Sequence, residues 1–164
     1  MSLLAIDLGG TKLAVGVFDK TANLIYSKED SIAGKKGKEV GTLIAENIIS
    51  ILNSNDTQVE AIGISVPGIS NIKNGTVWAP NIPGWDNYPL INEIRHITGE
   101  IPVSVESDRS CYILGEMWQG NAKGTGNAIF LAVGTGIGAG IVVDGNILHG
   151  TNDIVRAIGW MALQ

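Results

Sequence analysis

The stretch Asp7-Leu8-Gly9-Gly10-Thr11-Lys12 places a carboxylate, two adjacent glycines, a hydroxyl and a cation side by side. Glycines leave backbone N–H groups open to phosphate oxygens, with no Cβ in the way. Thr11 adds a hydroxyl donor and Lys12 a positive charge. Asp7 supplies a carboxylate of the kind that holds a hydrated magnesium ion. An apolar run follows at 13–18, so the turn leads into a strand and is not the strand-to-helix phosphate loop. A second stretch, Val133-Gly134-Thr135-Gly136-Ile137-Gly138-Ala139-Gly140-Ile141, also lies between two strand-like runs. A dinucleotide-binding fold would need a helix after these glycines. Two glycine–threonine turns in equivalent places read as a grip on one phosphate chain. The alternative is a pair of structural hairpins.

Val105-Glu106-Ser107-Asp108 ends a strand-like run just before a helical pattern. Phosphoryl transfer to an alcohol needs a carboxylate that orients the hydroxyl and takes its proton. Asp108 suits that role; its alternative at this position is a helix N-cap. Proline and glycine stiffen Ser65-Val66-Pro67-Gly68 and Pro80-Asn81-Ile82-Pro83-Gly84-Trp85. Asn81 offers both a donor and an acceptor, which suits a sugar hydroxyl. Trp85 either stacks on a ligand or plugs the core. Lys35, Lys36 and Lys38 read as a solvated loop before a helix rather than a binding patch.

The elements that must hold these residues follow from hydrophobic period. Strands are expected at 3–8, 13–18 and 24–28, a meander with a glycine turn at its first corner. Residues 37–54 change to helical period, with Val40, Leu43, Ile44, Ile48, Ile51 and Leu52 on one face. A buried strand follows at 61–66, then a turn-rich region at 69–88. Pro89 marks the first position of a second helix and Gly99 its stop. A strand at 101–105 leads to a third helix over 109–119 that buries Cys111, Leu114, Met117 and Trp118. The small-residue connection 120–126 is the expected lobe boundary. Beyond it, runs at 128–133, 140–143 and 146–148 repeat the strand triplet. The implied division is a first lobe over 1–120 and the start of a second, incomplete lobe over 121–164.

Composition excludes several classes. The formal net charge is -5 and no basic stripe is present, so neither nucleic acid nor an anionic membrane surface is an expected partner. Glycine occurs 22 times, spread along the chain, which indicates tight turns and close backbone approaches rather than a flexible linker. Cys111 is the only cysteine, which excludes an intramolecular disulfide and a multi-cysteine zinc site. No apolar run approaches the length of a membrane span. The start Met1-Ser2-Leu3-Leu4 lacks the basic flank of a signal peptide, so a soluble cytoplasmic protein is expected.

In this order, the glycine motif at 7–12, Pro67-Gly68, Asn81-Ile82-Pro83-Gly84-Trp85, Glu106-Ser107-Asp108 with Leu114-Gly115-Glu116, and Gly134 to Gly140 resemble the ROK family of sugar kinases. The resemblance implies an α/β architecture of the actin-like ATPase, RNase H-like type: a mixed sheet flanked by helices, with the second lobe truncated. It implies Asp108 as catalytic base. Gly9, Gly10, Thr11, Lys12, Gly134, Thr135 and Gly136 would line the ATP phosphates. Gly68, Asn81, Glu106, Ser107 and Asp108 would face the sugar, and Asp7 would hold Mg2+ through water. The implied reaction is ATP- and Mg2+-dependent phosphorylation of a hexose or amino-sugar hydroxyl. The chain departs from the family pattern at Ser107, where Asn is usual. It departs again at Arg156-Ala157-Ile158-Gly159-Trp160, where Gly-Glu-x-Gly-His is usual and the histidine often binds zinc. Loss of the carboxylate at Ala157 removes charge-assisted hydrogen bonds of roughly 1.5–3 kcal/mol each. Family members continue for about as long again, so impaired catalysis in this chain alone is expected. The alternative is a non-catalytic sugar-binding domain. An uncovered face on the second meander implies a homodimer or other self-association.

Overall fold

The structure, a computed structural model, describes residues 2–54, 58–134, 136–150 and 158–160. It divides into two compact units, Met1–Glu106 and Ser107–Gln164.

In the first unit, alternating apolar residues build β1 (Ser2–Leu8), whose Leu4, Ile6 and Leu8 are buried. β2 (Lys12–Asp19) returns antiparallel to it, from Leu8↔Leu13 to Ser2↔Asp19, and buries Leu13, Val15 and Val17. β3 (Leu24–Ser31) pairs antiparallel with β2 and forms an exposed sheet edge. After α1 (Lys38–Leu52), β4 (Val59–Val66) joins the other side of β1 in parallel. A short hairpin of β5 (Ile69–Asn71) and β6 (Thr76–Trp78) leads to α2 (Leu90–Thr98) and β7 (Val103–Ser107). The result is a mixed five-stranded sheet of order β3-β2-β1-β4-β7. Val40, Ile44 and Ile48 of α1 share one buried cluster with Leu90, Ile91 and Ile94 of α2 and the apolar residues of the sheet. Full burial of each such side chain contributes roughly 1.5–3 kcal/mol.

Among the described residues the second unit consists of α3 (Asp108–Gln119), a three-stranded antiparallel sheet and a 3₁₀ turn, Ile158–Trp160. Its strands are β8 (Ala128–Val133), β9 (Ile137–Val143) and β10 (Asn146–Ile147). The corner between β9 and β10 is Asp144-Gly145, with φ of 50° and 77°, the left-handed pair that a two-residue hairpin turn requires.

Three details differ from the sequence expectation. The turn-rich region contains the β5–β6 hairpin, whose strands are too short to display an alternation. Pro89 is the N-cap of α2 and not its first helical residue, because its ψ of 44° is non-helical. Helix α3 buries Ser110 and Ile113, whereas Leu114 and Trp118 are exposed. Cys111 and Met117 are half-buried. The cause is the packing of Ile113 on glycines of β9: a Cβ on Gly140 would lie 2.8 Å from Ile113 Cγ2 and also strike the Arg109 carbonyl. This same contact joins α3 to the sheet of the second compact unit, which begins at Ser107.

Candidate functional site

The hairpin between β1 and β2 closes at Gly9, whose N–H donates to the Lys12 carbonyl at 2.8 Å. The edge strand arrives at the same corner, where the Ile32 N–H donates to the Thr11 carbonyl at 2.9 Å. Gly10 and Thr11 are exposed at the tip, and Asp7 is exposed at the end of β1. Neither Gly9 nor Gly10 adopts a positive φ. A Cβ would fit at either position, 3.4 Å from the Lys12 carbonyl on Gly9 and 3.9 Å from Asn81 Cβ on Gly10, so these glycines leave the turn open to a ligand without being required by its packing. Lys12 follows the tip as the first residue of β2. Its ammonium group reaches Glu29 across the β2–β3 pair at 3.0 Å.

Asn81 belongs to a loop that closes on itself. Ala79 N–H donates to the Trp85 carbonyl at 2.8 Å, Ile82 N–H to Ala79 at 3.0 Å, and Trp85 N–H to Ile82 at 3.1 Å. Trp85 is buried and stacks on Tyr88 with ring centroids 4.5 Å apart. Its Nε1–H donates to the Gly37 carbonyl at 2.9 Å. Trp85 therefore plugs the core and fastens two loops, and is closed to a ligand. The Gly37 N–H in turn donates to the Pro83 carbonyl at 2.7 Å. Burial and the Glu93 carboxylate, which accepts from Tyr88 Oη at 2.7 Å, push the Tyr88 phenol upward. Gly68 has a steric role of its own. A Cβ there would strike the Trp78 carbonyl and lie 2.9 Å from Ala79 Cα.

These loops enclose a pocket of about 410 Å³, lined by Gly10, Thr11, Lys35, Lys36, Asn81 and Pro83, with Ile32, Ala33, Gly34 and Ile82 completing its wall. The glycine turn and Asn81 are thus brought together. Lys35 and Lys36, which the sequence assigns to a solvated loop, stand beside them. Both lysines are exposed in the loop before α1, as the sequence reading has them, and glycines of positive φ flank them, Gly34 at 79° and Gly37 at 49°.

In the second unit, Ser107 is the N-cap of α3, accepting from the Ser110 N–H at 3.3 Å. Asp108 is the first helical residue, and its Oδ1 accepts from the Arg109 N–H at 2.8 Å. The cap role considered for Asp108 thus falls to Ser107. A carboxylate in the first turn is also favoured by the helix dipole. Glu106 is half-buried on β7. The β8–β9 turn closes through Gly134 N–H to the Gly136 carbonyl at 2.9 Å, and a Cβ on either glycine would meet open space. Gly138 and Gly140 differ: side chains there would collide with Arg109 and Ile113 of α3. The glycine run thus divides into an open turn and a packing surface. Thr135, Arg156, Ala157 and the side chain of Trp160 lie outside the described residues.

Among the described residues no group of three His, Cys, Asp or Glu side chains could hold a metal. Asp7, a single exposed carboxylate beside the glycine turn, fits a magnesium ion carried mainly by water and phosphate oxygens. No helix among the described residues is long and apolar enough to cross a membrane.

Comparison with known proteins places this geometry. The chain is 34% identical over 166 residues to a glucokinase of Thermotoga maritima, covering 100% of this chain and 51% of that protein. It superposes on the ROK hexokinase of Thermus thermophilus with a TM-score of 0.85 at 33% identity, covering 100% of this chain and 54% of the other. It superposes on a ROK glucokinase of Streptomyces griseus, solved with glucose and AMPPNP, with a TM-score of 0.80 at 28% identity, over 96% and 49% of the two chains. The mixed sheet with flanking helices is the actin-like ATPase fold of these sugar kinases. The chain spans about half the length of the curated relatives it matches. The sequence pattern of the ROK family is matched over residues 3–164, and on that match, joined to the shared fold, this chain belongs to the ROK family.

Proposed function

We propose that this chain carries the phosphate-gripping turn and part of the sugar site of an ATP-dependent kinase acting on a hexose or amino-sugar hydroxyl. The observation that carries the reading is the pocket that the Gly10-Thr11 tip and Asn81 line together. The tip offers unobstructed N–H groups and a hydroxyl to phosphate oxygens. Asn81 offers an amide to a sugar hydroxyl. The glucose and AMPPNP bound by the Streptomyces griseus relative support a sugar and an adenine nucleotide as ligands. Gly134, Thr135 and Gly136 would complete the phosphate grip, with Lys12 after release from Glu29. Gly68, Glu106 and Ser107 would border the sugar. Asp108 would take the proton of the attacking hydroxyl. Mg2+, held through Asp7 and water, would neutralise charge on the phosphates.

The test is ATP- and Mg2+-dependent phosphorylation of a panel of hexoses and amino sugars, with Asp108→Asn as the paired variant. The expected loss in the variant is about 10²- to 10⁴-fold in turnover. Undiminished turnover in Asp108→Asn would remove Asp108 from the role of base. The serine at 107 and the alanine at 157 favour the second reading, a sugar-binding domain without catalysis. That reading requires sugar affinity with no affinity for ATP.

A further inference from the structure

We propose that Lys35 and Lys36 form an anion subsite with the Gly10-Thr11 tip and Asn81, and that the subsite binds the oxyanions of a phosphate chain. The inference deepens the kinase reading and rests on it for the identity of the ligand, but its binding test stands apart from turnover.

Three segments distant in sequence meet at this pocket: the β1–β2 tip, the loop between β3 and α1, and the loop before α2. The charged residues on its wall are two lysines, and no carboxylate lines it. This is a local excess of positive charge in a chain of net charge -5. Three carboxylates of this region are engaged elsewhere, while Glu46 shares a second cleft with Lys35. Glu29 holds Lys12. Asp30 accepts from Lys28 at 2.8 Å and from Asn47 at 2.9 Å. Those two contacts, with a smaller contribution from Lys35, hold its carboxyl below the usual range. Glu39 accepts the Lys36 backbone N–H at 3.0 Å. Among the described residues the ion pairs are Lys12–Glu29 and Lys28–Asp30, and neither Lys35 nor Lys36 enters one.

The lysine loop is fastened at both ends to the other two walls. Ile32 N–H is bonded to Thr11 at one end, and Gly37 to Pro83 and Trp85 at the other. Inside the loop, Lys35 N–H donates to the Ile32 carbonyl at 2.9 Å. A backbone held in this way loses little further entropy when a ligand arrives. An ammonium group is a compact charge with three donors, suited to phosphate as a point charge. The volume exceeds the need of one small anion and suits a chain of phosphates. The subsite adds two cations beside the glycine tip, where Lys12 is paired with Glu29.

The test is calorimetric titration of the 164-residue chain with inorganic tripolyphosphate and, separately, with ATP, both without sugar. Wild type is compared with Lys35→Ala/Lys36→Ala, with Lys35→Arg/Lys36→Arg, and with Lys73→Ala, a surface lysine outside the pocket. The expected result is about tenfold weaker tripolyphosphate binding in the double alanine variant, with affinity kept in the arginine and Lys73 variants. A parallel loss for ATP identifies the nucleotide's phosphates as the occupant. A loss confined to tripolyphosphate identifies an inorganic chain. Equal affinity in wild type and the double alanine variant overturns the subsite, as does an equal loss in Lys73→Ala or no binding by the wild type. Retained thermal unfolding in the double variant excludes misfolding as the cause. Lysine-dependent phosphate binding without sugar phosphorylation would leave the subsite standing and remove the kinase reading. Sugar phosphorylation with unaltered phosphate affinity in the double variant would do the reverse.

Discussion

Glycine serves two unlike purposes here, and single substitutions separate them. Gly136 faces open space without a positive φ, so Gly136→Ala should leave stability within about 0.5 kcal/mol of wild type in urea unfolding. Gly68 lies against the backbone of Trp78 and Ala79, which cannot give way as a flexible side chain would. Gly68→Ala should cost roughly 1–3 kcal/mol in the same measurement. Neutral behaviour there would free Gly68 from its steric role. Asp19 carries a pH dependence of its own. Its carboxylate accepts from the side chain and N–H of Thr21 and from the N–H and side chain of Asn23, at 2.8–3.1 Å. These bonds, the Thr21 hydroxyl foremost, bring its pKa down to about 2. A folded pKa below the unfolded value of about 3.9 means that the contribution is complete above pH 4. It is then lost as pH falls towards 2. The melting-temperature gap between wild type and Asp19→Asn should therefore narrow over that window. A constant gap would show that the turn does not depend on ionisation.

At the scale of elements, α3 and β9 show how a glycine run can mislead. The sequence offers Gly134 to Gly140 as one motif, but the tip and the strand do different things. Gly138 and Gly140 let the backbone of α3 approach the sheet, where Arg109 and Ile113 occupy the space of the missing side chains. Gly140→Ala should therefore loosen α3, with an expected loss of roughly 1–3 kcal/mol. Hydrogen exchange should rise across α3 and β9 and stay near wild type in β1 to β3. The apolar spacing of α3 pointed to Leu114 and Trp118 as buried, because period identifies a face only when one partner covers it. Here the covered positions are Ser110 and Ile113. The helical face of α1 was legible, since Val40, Ile44, Ile48 and Ile51 face a single continuous core.

For the molecule as a whole, the second sheet has one face packed and one bare. Phe130, half-buried, meets Tyr112 of α3 at 5.2 Å between ring centroids, whereas Ile129, Leu131 and Val133 alternate outward at 64%, 57% and 75% exposure. Ile137, opposite Val133, extends the bare row. An exposed apolar row of this kind is a candidate association surface. Leu131→Lys is expected to shift the chain toward monomer in light scattering, and unchanged association would move the contact elsewhere.

Strand and helix order, the two glycine corners and the family resemblance are written in local pattern, because period and turn chemistry depend on near neighbours. That is why the meander at the start and the one after residue 128 were readable to within a few residues. The neighbours of Lys35 and Lys36 were not. In sequence the lysines are two exposed charges before a helix, and such charges are usually solvated. Their place beside Gly10 and Asn81 depends on hydrogen bonds from Gly37 to Pro83 and from Trp85 to Gly37, which span nearly fifty residues of chain. The same holds for Lys12, whose partner Glu29 comes from the pairing register of β2 and β3. Local chemistry sets which side chains are available, and long-range backbone bonding sets which of them meet.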